Sequence, residues 1–95
     1  MKARLRYRER IVYSATELVE MVAWQVPAPI PPSLHLFKYR LVYIVDGVRV
    51  LGYDNERGKG DHRHFLGEEQ PITFVAIETT LQAFVAEVAT LRRKP

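Results

Sequence analysis

Polar and apolar residues alternate along the first stretch of the chain. Arg4, Arg6, Arg8 and Arg10 fall on one side and Ala3, Leu5, Tyr7, Ile11 and Tyr13 on the other, with Glu9 as the exception. A period of two over residues 3–13 predicts a half-buried strand with a cationic face. Ser14-Ala15-Thr16 reads as a turn. Residues 18–26 (LVEMVAWQV) read as a second strand, apolar enough to be buried on much of both faces. Pro27, Pro29, Pro31 and Pro32 then force an extended loop, because proline fixes φ and donates no hydrogen bond. That loop is either a rigid surface arm or a stiff connection across one end of the sheet.

Residues 38–45 and 48–54 flank Asp46-Gly47, and Asp-Gly between β-branched runs marks a two-residue hairpin loop. Such a loop predicts a register in which Val45 opposes Val48, Tyr43 opposes Val50, Leu41 opposes Gly52 and Tyr39 opposes Asp54. Ile44, Val42 and Arg40 then oppose Arg49, Leu51 and Tyr53 on the other face. Gly67–Pro71 reads as a turn and residues 72–75 as a short edge strand. From Ile77 to about Arg93, Ile77, Leu81, Phe84, Val85, Val88 and Leu91 recur at spacings of three and four, which predicts an amphipathic helix. Arg92, Arg93 and Lys94 suit its C-terminal dipole. Strands first and helix last give an α+β fold, an antiparallel sheet of about four to five strands with one C-terminal helix on a face.

The length of 95 residues leaves room for one domain over 1–95. With no cysteine there is neither a disulfide framework nor a thiolate zinc site. No apolar run approaches a membrane span and none follows the charged N-terminal residues, so the expectation is a cytoplasmic protein. A net charge of +3 favours anionic partners only mildly, so the distribution of charge carries more weight than its sum. The arginines of the first strand could track a phosphate backbone, or could deter edge-to-edge pairing.

Most of the reactive chemistry lies in Tyr53-Asp54-Asn55-Glu56-Arg57-Gly58-Lys59-Gly60-Asp61-His62-Arg63-His64. Gly58 and Gly60 permit positive φ and close approach, and with Arg57 and Lys59 they could hold a phosphate. The spacing is not that of a Walker loop, and a solvated turn is the alternative. In an extended segment His62 and His64 share one face, while Asp61 and Arg63 share the other. Two such histidines suit general acid–base work on a phosphodiester, or metal ligation with Asp54 or Asp61, or mere capping of carbonyls. Trp24, Tyr39 and Tyr43 read as core aromatics. Tyr53, beside Arg40, could instead point its hydroxyl at a substrate, and His35 reads as a surface residue.

Trp24-Gln25-Val26-Pro27, the stretch Phe37–Tyr43 and above all the twelve-residue run resemble the TumE family, toxin components of bacterial type II toxin–antitoxin systems. The resemblance implies a small bacterial protein paired with a helix-turn-helix antitoxin. Two functions fit the residues. One is a small ribonuclease: Arg57 and Lys59, with Gly58 and Gly60, hold the phosphate, His62 and His64 act as acid and base, and Asp54 or Asp61 orients a ring. That scheme needs no metal or other cofactor, since the neighbouring cations would repel a divalent ion. The other is a non-enzymatic module in which the same run docks the antitoxin or a nucleic acid. A long first strand and an amphipathic helix are also compatible with a homodimer.

Overall fold

The computed structural model describes residues 2–93. Six strands form one antiparallel sheet in chain order: β1 (Arg4–Ser14), β2 (Glu17–Gln25), β3 (Phe37–Val45), β4 (Val48–Glu56), β5 (Gly60–Phe65) and β6 (Glu68–Pro71). Helix α1 (Ile77–Arg93) follows. The fold is α+β as the pattern predicts, with slightly more strands than the expected four to five. Lys94, expected at the end of the helix, lies outside the described residues.

Helix α1 covers one face of the sheet. Phe84 and Val88 are buried with Val19, Met21 and Ala23 of β2, Tyr39, Leu41 and Tyr43 of β3, and Leu51 and Tyr53 of β4. Tyr53 meets Phe84 edge to face, with ring centroids 5.1 Å apart. Its hydroxyl donates to Glu87 Oε1 at 2.6 Å, and Arg63 pairs with the same carboxylate. Tyr53 and Arg63 therefore fasten the helix. Val85, expected on the packed stripe, is exposed. At the far end Arg92 stacks over Tyr13 and pairs with Glu17.

Three local departures from the sequence pattern matter. The Asp46-Gly47 loop forms as expected, with φ of 52° and 76°. A bulge then follows: Ile44 opposes Arg49, but Tyr43 opposes Leu51, so Val50 is the extra residue. From there on the expected register is out by one. Arg40, not Tyr39, opposes Asp54, and Leu41 opposes Tyr53. Because side chains alternate along a strand, the slip moves every residue after the bulge to the opposite face.

A second irregularity, between Leu5 and Tyr7, divides the arginine stripe. Arg8 and Arg10 oppose Val22 and Glu20, whereas Arg4 opposes Gln25, on the other face. The third departure lies after β5. Leu66 and Gly67 both take positive φ (50° and 86°), so the turn closes there. Residues 68–71, expected as a turn, become the edge strand, and residues 72–75 leave the sheet.

Candidate functional site

Among the described residues no second layer covers the sheet face opposite the helix. Cross-strand register sets on it Arg8 and Arg10 of β1, Val22 and Trp24 of β2, Arg40 and Val42 of β3, Gly52 and Asp54 of β4, and His62 and His64 of β5. Arg8, Arg10, Trp24 and Arg40 line a shallow groove with Glu20 and Val22. Trp24 is 38% exposed, contrary to its expected place in the core. Where β4 carries Gly52, the stem of Arg49 crosses: a Cβ at 52 would stand 3.1 Å from Arg49 Cδ. Gly52 opposes His64 across the β4–β5 ladder.

Asp54, His62 and His64 come together here, each at least nine-tenths buried. His62 Nε2 lies 2.7 Å and His64 Nε2 3.2 Å from the same oxygen, Asp54 Oδ1. The contact from His64 has hydrogen-bond geometry. That from His62 does not, and its buried Nε2 has no hydrogen-bond partner among the described residues. The other nitrogen of His62, Nδ1, stands 2.9 Å from the Gly60 carbonyl oxygen. A carbonyl only accepts, so Nδ1 carries the proton and donates it there. Glu69, on β6, brings Oε1 to 3.1 Å from His64 Nδ1 and 3.8 Å from His62 Nε2. His62 reaches the surface in a cleft lined by Lys59, Glu69, Gln70 and Pro71.

Asp61 is not part of this cluster. It lies on the helix side, accepting from Ser33 Oγ at 2.7 Å and from the Tyr39 hydroxyl at 2.7 Å. His35 Nε2 stands 2.7 Å away, and His35 Nδ1 accepts from the Phe37 amide. The expected surface residue His35 is in fact mostly enclosed, stacked on Phe74 with centroids 3.5 Å apart. Burial pushes the Asp61 carboxyl up, but the Tyr39 and Ser33 hydroxyls and the His35 ring outweigh it and hold the group below its ordinary range. Burial, with Asp61 beside it, pushes the Tyr39 phenol well above its ordinary value. This is a network that locks a loop to the sheet.

The glycine loop is also engaged by the protein itself. The Gly58 amide donates to the Pro31 carbonyl at 2.8 Å, and the Lys59 amide to Glu56 at 3.0 Å. The proline segment is thus a brace across the end of the sheet, lying against the β4–β5 turn. Lys59 Nζ stands 3.5 Å from Glu69 Oε1, and Arg57 is exposed on the turn. Phosphate contact by these two residues would come from side chains at the rim, not from a backbone cradle. Tyr53, whose hydroxyl is held by Glu87, faces away from the histidines.

Five participants escaped the sequence reading. Asn55 is fully buried and replaces a ladder partner: its Oδ1 accepts from the Tyr39 amide at 3.0 Å and its Nδ2 donates to the Phe37 carbonyl at 2.7 Å. Ser33, Arg49, Glu69 and an exposed Trp24 are the others. Only Asn55 had a local signal, as the one amide in the twelve-residue run.

Fold and site together define a small α+β protein that leaves one sheet face bare and sets a histidine–aspartate cluster into it among arginines. The family model described as Toxin TumE matches residues 2–92, and the chain belongs to this family. It is therefore the toxin component of a toxin–antitoxin pair, and its family implies an antitoxin partner. No curated protein and no solved structure matches the chain. Among the described residues no helix is long and apolar enough to cross a membrane.

Proposed function

We propose that this toxin acts by cleaving RNA, with Asp54, His62 and His64 as the reactive centre. The observation that carries the reading is the position of that buried cluster on the one sheet face that also bears Arg8, Arg10 and Arg40. Cationic side chains spaced along a bare face suit a polyanion, and an exposed tryptophan among them suits the stacking of an unpaired base. RNA supplies its own nucleophile. The 2′-hydroxyl oxygen attacks the adjacent phosphorus and gives its proton to the Asp54–His62–His64 cluster. The bond from phosphorus to the 5′ oxygen breaks, and that oxygen takes a proton back from the cluster or from water. The products are a 2′,3′-cyclic phosphate and a 5′-hydroxyl.

The rings do not flank a gap, as an acid and a base working at opposite ends would. Both Nε2 atoms converge on Asp54 Oδ1, so the cluster acts at a single point. Arg40, directly across from Asp54, is placed to offset charge developing on the phosphate, with Arg57 and Lys59 at the rim.

Purified chain incubated with RNA, beside His62→Ala/His64→Ala, tests this. Cleavage by the parent and at least a ~100-fold slower reaction in the variant are expected. RNA bound but left intact by every form would replace the reading with the second one, a docking module for nucleic acid or for the antitoxin. We also propose a helix-turn-helix antitoxin as the partner and a homodimer in solution, checked by co-purification and by solution mass.

A further inference from the structure

We propose that Asp54, His62 and His64 bind one divalent transition-metal ion of the zinc class. One ligand atom from each lies within 4.8 Å of the others, and all three residues are buried. The decisive detail is His62. With the Nδ1 proton donated to the Gly60 carbonyl, an Nε2 without a proton would turn a bare lone pair onto a carboxylate oxygen 2.7 Å away. Two lone pairs at that separation repel unless something positive lies between them. A proton would need a straight N–H···O path, and the contact lacks that geometry. An ion set to one side of the N···O line satisfies both atoms, and Nε2 of His64 as well.

The dimensions agree. Ligand atoms about 2 Å from a tetrahedral zinc stand about 3.3 Å from one another, close to the 2.7 and 3.2 Å found. The outer partners are those of a metal site too. A ligating histidine ordinarily fixes its second nitrogen on a carbonyl or carboxylate. Here His62 uses the Gly60 carbonyl and His64 faces Glu69, and His62 also lines a cleft with Lys59, Glu69, Gln70 and Pro71. Two imidazoles and one carboxylate select zinc-like ions over magnesium or calcium, which prefer all-oxygen shells. The sequence argued against a metal because Arg57 and Lys59 are near in the chain. In the structure Lys59 lies against Glu69, which adds negative charge beside the cluster.

Binding stands on the donor set alone. Its use in polarising a phosphate oxygen rests on the RNA-cleavage reading. The test uses the chain after dialysis against EDTA, with Zn2+ followed by calorimetry and Co2+ by broadening of histidine ring signals in NMR. One equivalent of Zn2+ should bind in the micromolar range or tighter, and Co2+ should broaden His62 and His64 while sparing His35. Glu69→Ala, on the exposed edge strand, should weaken Zn2+ by about 10- to 100-fold, as loss of an outer partner does. Absence of Zn2+ binding by the parent chain overturns the proposal, and so does a Co2+ effect centred on His35. RNA cleavage that persists in EDTA with no metal bound removes the ion and keeps the nuclease. Zn2+ bound at the two histidines without cleavage keeps the ion and removes the nuclease.

Discussion

Two aspartates seven residues apart behave differently because one strand turn separates their faces. Asp54 meets two rings at a single oxygen, whereas Asp61 distributes its two oxygens over Ser33, Tyr39 and His35. Asp61 is held below its ordinary value of 3.8 when folded, so its stabilising contribution is complete above that value and is lost as pH falls through the lower folded one. Asp61→Asn should therefore cost about 1–3 kcal/mol at neutral pH. In urea titrations the gap between the two proteins should narrow as pH drops below 3.8. A gap that does not change with pH would show that the carboxylate charge contributes nothing. The sequence pattern placed Asp61 and His62 on opposite faces correctly. It could not show that His35, 26 residues earlier, would return to Asp61.

At the scale of elements, the β4–β5 turn is where backbone freedom is needed. Gly58 and Gly60 both take positive φ, 86° and 77°. A side chain at 58 meets open space, whereas a Cβ at 60 would stand 3.1 Å from Pro32 Cγ. Gly58→Ala should thus cost about 1–2 kcal/mol, the left-handed strain alone. Gly60→Ala should cost more, because the proline brace is a rigid ring that must also give way. Thermal or urea unfolding of the two variants would rank them, and equal losses would mean that the brace yields freely. The glycines were legible as points of freedom. That their loop grips the proline segment was not, since the Gly58–Pro31 bond joins residues far apart in the chain.

Across the whole molecule, the helix divides the labour between two faces. One face becomes core, and the other leaves Arg8, Arg10, Arg40 and Trp24 exposed. If RNA follows that face, Arg8→Glu combined with Arg10→Glu should weaken RNA binding at low salt without loss of fold. The slope of log affinity against log salt should fall by roughly 0.7 for each phosphate contact removed from single-stranded RNA. Fluorescence anisotropy over a salt series would read it, with Arg4→Glu, on the other face, as the control. An equal effect of Arg4→Glu would refute a face-specific track.

The sequence by itself determined the first four strands, the hairpin turn, the amphipathic helix and the kinship, because each rests on local periodicity, turn chemistry or a contiguous motif. It also determined that His62 and His64 share a face, since alternation along one strand requires it. Only the tertiary structure decided which carboxylate joins them. One extra residue at Val50 turns Asp54 from the helix side to the bare side, opposite Arg40 and His62. A bulge of that kind is set by how neighbouring strands twist and pack, and that competition has no signature within the strand itself.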